Sequence, residues 1–91
     1  MLLLFLPLTG RADSIAMSDY IHLSRGMTEA EVLYRVGPPD HETIASDYYN
    51  NILNKTWYYI PSKSETSNRS WITEIVFSGN GKVRSLDRYK P

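Results

Sequence analysis

The sequence predicts a small α+β domain, with brief helical segments in its first half and antiparallel strands in its second. Three observations carry this expectation. The stretch RGMTEAEVLYRVGPPD (25–40) has a polar start, an apolar middle and a Gly-Pro-Pro stop, the punctuation of a short helix. After it the apolar residues change period, and segments rich in aromatic and β-branched side chains follow. With 91 residues, 42% of them hydrophobic, the chain can build one core and no more.

The opening residues MLLLFLPLTGRADSIA differ from the rest. An apolar run at 2–8 precedes small residues, with Gly10 and Ala12 at the −3 and −1 positions that signal peptidase prefers, and Ser14 and Ala16 as a second choice. Residues 1–16 therefore read as an export signal without the usual basic start, and 17–91 as a single domain. The apolar run is too short to span a bilayer as a helix.

Within the helical stretch, Thr28 and Glu31 form the capping-box pattern, so the helix starts at Glu29. Glu29 and Glu31 suit the positive end of its dipole and Arg35 the negative end. Gly37 supplies the left-handed stop, and Pro38 and Pro39 forbid continuation. Met27, Val32, Leu33 and Val36 make an apolar side, with Met27 and Val32 at the staple positions. A helix of two turns is marginal in isolation, so it must lie on something. Upstream, SDYIHL (18–23) reads as a second brief helical turn capped by Ser18.

Of the later segments, ETIASDYY (42–49) is ambiguous, whereas KTWYYIP (55–61), SWITEIVFS (70–78) and KVRSLDRY (82–89) are strongly strand-forming. The polar loop PSKSETSNRS separates the first two of these, and Gly79-Asn80-Gly81 marks a tight hairpin between the last two. A two-residue Asn-Gly loop would oppose Phe77 to Arg84. A three-residue loop opposes Phe77 to Val83, Ile75 to Ser85, Thr73 to Asp87 and Trp71 to Tyr89. The second register is preferred because it gathers aromatics on one face.

That register turns Trp71, Ile75, Phe77, Val83 and Tyr89 toward the helix. Ile72, Glu74 and Val76 face outward with Lys82, Arg84, Leu86, Arg88 and Lys90, joined by Tyr58 and Ile60 from the neighbouring strand. The candidate partner-binding residues are Tyr58, Ile72, Val76, Arg84, Leu86 and Arg88. Such a mixed basic and apolar face would meet an acidic protein surface, anionic lipid headgroups or a second copy of the chain. The plainer reading is a solvated face whose Lys and Arg protect an edge strand. Net charge is zero but unevenly spread, with three basic and seven acidic residues in 1–54 and seven basic and three acidic in 55–91.

Enzymatic chemistry has little to stand on. There is no cysteine, hence no disulfide framework, thiolate metal site or thiol nucleophile. Asp40-His41-Glu42 could offer a general base or metal ligands, with His22 the only other imidazole. On an extended segment, however, the two carboxylates project to one side and His41 to the other. No second cluster accompanies them, so a non-enzymatic chain without metal or cofactor is expected. Tyr48-Tyr49-Asn50-Asn51 reads as an aromatic pair beside a turn. Asn54-Lys55-Thr56 and Asn68-Arg69-Ser70 match glycosylation sequons, triplets that arise by chance. Neutral charge, an exported location and the lack of a binding motif count against nucleic acid, and none is expected as a partner.

The ordered set Gly26-Met27-Thr28-x-x-Glu31-Val32, Val36-Gly37-x-Pro39, Trp57-x-Tyr59, Ile75-x-Phe77 and Gly81-x-Val83 resembles the SmpA/OmlA family of small BamE-like proteins of the Gram-negative envelope. It spans most of the domain. The resemblance implies two short N-terminal helices packed on one face of a three-stranded antiparallel sheet, an architecture like that of the repeats of β-lactamase-inhibitor proteins. It also implies a non-enzymatic accessory role at the outer membrane, in β-barrel assembly or envelope integrity, with an envelope protein as partner. A soluble periplasmic inhibitor or adaptor is the related alternative. The lipidated cysteine of outer-membrane members is absent, so a periplasmic protein without a lipid anchor is expected.

Overall fold

A computed structural model of the chain describes residues 15–61 and 71–90. Residues 1–14 of the expected leader, and 62–70 with the second sequon, lie outside the described residues. Two helices, α1 (Met17–Tyr20) and α2 (Glu29–Val36), precede four strands, β1 (His41–Ser46), β2 (Ile52–Tyr59), β3 (Ile72–Ser78) and β4 (Val83–Tyr89). The strands form one antiparallel sheet in the order β1-β2-β3-β4.

The α+β class holds, but the expected three strands are four. The additional strand is HETIAS, exposed at every position, so it carries no alternation of buried and exposed residues by which a strand announces itself. Pairing with β2 defines it, from His41 opposite Tyr58 to Ala45 opposite Asn54. At its far end Asp47 organises the turn, its Oδ1 accepting from the N–H groups of Tyr49 at 2.8 Å and Asn51 at 2.9 Å. Tyr48 and Tyr49 meet edge to face at the tip, 5.4 Å between centroids, and both are exposed.

Helix α2 starts and stops as its sequence dictates, although Leu33, expected on its apolar side, is 42% exposed and outside the core. Thr28 Oγ1 accepts from the Glu31 N–H at 3.2 Å, and the Glu31 carboxylate accepts from the Thr28 N–H at 2.8 Å, so both ends of the capping box are made. Gly37 closes the helix at φ 83°, its N–H donating to the Leu33 carbonyl at 2.9 Å. Helix α1 differs from expectation. Its N-cap is Ala16, no side chain caps it, and Ser18 lies inside its single turn. What holds α1 in place is the burial of its flanks, Ile15 before it and Leu23 after it.

Those two residues join Val32 of α2 and Trp57, Tyr59, Ile75, Phe77 and Val83 of the sheet in one core. Trp57 and Phe77 meet edge to face at 4.6 Å. All of this core lies on one side of the sheet. Ile15 falls on the leader side of the expected boundary at residue 17, yet it is a core residue.

The β3–β4 hairpin begins in the expected register, with Phe77 opposite Val83, and then shifts by one residue. Arg84 is the extra residue of a β-bulge, after which Val76 opposes Ser85, Ile75 opposes Leu86, Thr73 opposes Arg88 and Ile72 opposes Tyr89. The expected pairs Ile75–Ser85, Thr73–Asp87 and Trp71–Tyr89 do not form. The physical reason lies in what the unshifted register would bury. It would send Ser85 and Asp87 against the helices, and an unpaired carboxylate there is costly. The bulge sends Leu86 and Arg88 instead, and both find partners.

Candidate functional site

With the helices on one side, the other side of the sheet is left without a covering element among the described residues. A row crosses it from edge to edge: His41 opposes Tyr58, Tyr58 opposes Glu74, and Glu74 opposes Asp87. The His41 and Tyr58 rings stand 5.8 Å apart. Directly opposed residues of an antiparallel ladder share a face, so Ile72 with Tyr89 and Thr56 with Val76 belong to this surface too.

The electrostatics of the row are negative. Partial burial raises the pKa of the Tyr89 phenol, and the charge of nearby Glu74, the neighbouring Tyr58, a hydrogen bond with Glu74 and the charge of Asp87 raise it further. Two tyrosines and two carboxylates therefore form one group, each within electrostatic reach of Tyr89.

Three of the six residues expected at the partner-binding surface, Tyr58, Ile72 and Val76, lie on this uncovered face and are half-buried. Arg84 is exposed at the bulge, beside the hairpin turn. Leu86 and Arg88 are on the opposite side, a correction that follows from the bulge. Leu86 packs against the core. Arg88 donates from Nη2 to the Ile15 carbonyl at 2.8 Å and lays its guanidinium 5.0 Å from the Tyr20 ring centroid. Burial lowers the Arg88 pKa and raises that of Tyr20. The alternating basic row anticipated on the outer face is thereby dissolved, and Asp87 and Tyr89 take its place. Tyr89 was expected inside. The signal that could have located it is the acidity of Asp87, a poor candidate for the core beside Leu86.

The Asp40-His41-Glu42 cluster does not converge. Asp40 Oδ2 accepts from the Ile60 N–H at 2.7 Å, and Glu42 Oε2 accepts from Trp57 Nε1 at 2.7 Å, while His41 lies on the uncovered face. Glu42 and Glu29 flank Lys55 Nζ at 3.9 and 3.2 Å, tying the start of α2 to the sheet on the helix side. Among the described residues no group of three potential ligands could hold a metal ion. A cleft of about 390 Å³ beside the two helices is lined by Asp19, His22, Tyr34 and Arg35, all exposed. No helix of the described residues is long and apolar enough to cross a membrane.

Comparison with known proteins finds no matching family model, no matching curated protein and no matching solved structure.

Proposed function

We propose that the protein is a non-enzymatic interaction module of the bacterial cell envelope, periplasmic or associated with the outer membrane, that binds a protein partner through the uncovered face of its sheet. The observation that carries this reading is the one-sidedness of the fold: the core and both helices use one face, and the other presents Tyr58, Ile72 and Tyr89 beside Glu74 and Asp87. Tyrosines give large contact area at low entropic cost, and they dominate many protein interfaces. The envelope location rests on the resemblance to SmpA/OmlA proteins and on the apolar leader.

The sign of the face changes the partner. A basic row would have called for an acidic protein or anionic lipid, but the carboxylates of Glu74 and Asp87, side by side on β3 and β4, favour a partner carrying arginine or lysine. An inhibitor or adaptor acting in the periplasm would use the same face.

The test is capture from envelope extract by the immobilised protein, compared with the Glu74→Lys, Asp87→Lys double variant and with Tyr58→Ala. Reversing these two charges is expected to lower affinity by about 30-fold or more, as for an interface hot spot. The circular dichroism spectrum should be unchanged. Equal capture by the charge-reversed variant would overturn the assignment of this face.

A further inference from the structure

The two edges of the sheet are treated differently. At β4 the main chain of residues 26–28 lies alongside: the Gly26 N–H donates to the Val83 carbonyl at 2.9 Å, the Val83 N–H donates to the Met27 carbonyl at 2.8 Å, and Thr28 bridges to Lys82. That edge also carries Arg84, Arg88 and Lys90 and a bulge, the devices that discourage strand addition. The β1 strand, HETIAS, contains no Lys, Arg or Pro, and no main-chain hydrogen bond reaches its outer side among the described residues. The one register shift of its ladder, between Ala45 and Ser46, places the extra residue, Leu53, in β2 rather than in β1. Ile44 of this strand leaves half of its surface exposed, at 50%, and Ile52 and Leu53 at the start of the adjoining β2 are similarly exposed.

We infer that β1 pairs antiparallel with β1 of a second copy, closing a two-fold dimer whose sheet runs unbroken through both copies. The sequence of the strand selects both the occupant and the register. Opposed residues of an antiparallel ladder share a face, so the two-fold axis must pass beside a residue that meets itself. An axis at Glu42 opposes two carboxylates, and one at Thr43 sets each Glu42 against an isoleucine. An axis at Ala45 leaves Glu42 and Thr43 largely outside the ladder. An axis at Ile44 is self-complementary. It joins the two Ile44 side chains, opposes Glu42 to Ser46 of the second copy and Thr43 to Ala45, and brings His41 to the second copy's Asp47. No like charges meet in that register, and the half-exposed Ile44 is buried at the axis. The uncovered faces of the two copies become one continuous surface, so the dimer would present two acidic and tyrosine-rich rows side by side. The pairing is isologous and therefore closed, which limits growth beyond two copies.

The absence of cysteine makes the test direct. In the I44C variant the introduced thiols face each other across the axis within disulfide reach, and mild oxidation is expected to yield a covalent dimer. The V76C variant, placed on the uncovered face in the middle of the sheet, should yield none. Sedimentation should show the native chain passing from monomer to dimer with concentration. Ile44→Lys should remain monomeric with an unchanged circular dichroism spectrum, because position 44 is outside the core. A monomer at every concentration up to about 1 mM, the weak limit of specific association, would overturn the dimer. So would equal crosslinking of I44C and V76C. A monomeric chain whose partner capture is lost in Ile44→Lys would assign the edge to a heterologous strand instead, and this too overturns the dimer. Capture that persists in monomeric Ile44→Lys leaves the uncovered-face reading standing, so the two ideas fail separately.

Discussion

Arg88 donates from Nη2 to the carbonyl oxygen of Ile15 at 2.8 Å, joining the last strand to the residue that precedes the first helix. Ile15 is itself 5% exposed, and the Tyr20 ring lies under the same guanidinium. Helix α1 has one turn and no side-chain cap, so this clamp and the burial around it are what hold it. A chain beginning at Met17 is therefore expected to be less stable than one beginning at Asp13 by about 2–4 kcal/mol, from lost apolar burial and an orphaned guanidinium. Urea unfolding of the two chains measures it, and coincident midpoints would show that Ile15 contributes nothing. If a leader is removed, cleavage after Ala12 preserves the clamp and cleavage after Ala16 destroys it.

Leu86 and Arg84 are two residues apart, but the bulge gives them different surroundings. Leu86→Ala should cost about 2 kcal/mol by opening space beside the core, whereas Arg84→Ala should fall within about 0.5 kcal/mol of the native chain. Thermal melts of the two variants separate these outcomes. Equal losses would show that the register lacks the shift.

Thr28 serves α2 through its hydroxyl, and its own N–H is served by Glu31. Thr28→Ala is expected to lower stability by about 1 kcal/mol, with Thr28→Ser retaining most of it. A loss below measurement error in chemical denaturation would mean that tertiary packing alone sets the start of the helix.

Asp47 has a pKa lowered chiefly by the N–H of Asn51, with further bonds from the Asn51 side chain and the Tyr49 N–H. Because the folded value is depressed, its contribution to the β1–β2 turn is fully present above the ordinary carboxylate pKa and is lost as pH falls through the folded value. The carboxyl resonance of Asp47 should titrate below that of a model peptide. The Tyr49 and Asn51 amide signals should move with it. An unshifted Asp47 titration would contradict the turn geometry.

Gly79 is required by a neighbour. A Cβ there would stand 2.5 Å from the carbonyl oxygen of Ile52, a main-chain atom that cannot swing aside. Gly79→Ala should destabilise the domain by about 1–3 kcal/mol, the range for forced overpacking. Hydrogen exchange should report faster opening at the start of β2. Native-like protection there would show that the strands can part without cost.

Much of the architecture was written locally. The capping pair Thr28 and Glu31, the stop at Gly37 and the strand character of β2, β3 and β4 each depend on neighbours along the chain, and they are found where the residues place them. So are the core residues Trp57, Tyr59, Ile75, Phe77 and Val83, because large apolar groups leave water wherever a face is available. Other features depended on groups far apart in sequence. β1 is exposed throughout and shows no periodicity, so only its pairing with β2 makes it a strand. The Arg84 bulge replaces Asp87 at the helix side with Arg88, which meets Ile15 and Tyr20 from the other end of the chain. A one-residue shift exchanges the faces of a strand, and its energy is decided by what each face touches. The sequence by itself thus determined the elements and most of the core, while the tertiary contacts decided which side chains face the open sheet surface, and with them its negative charge.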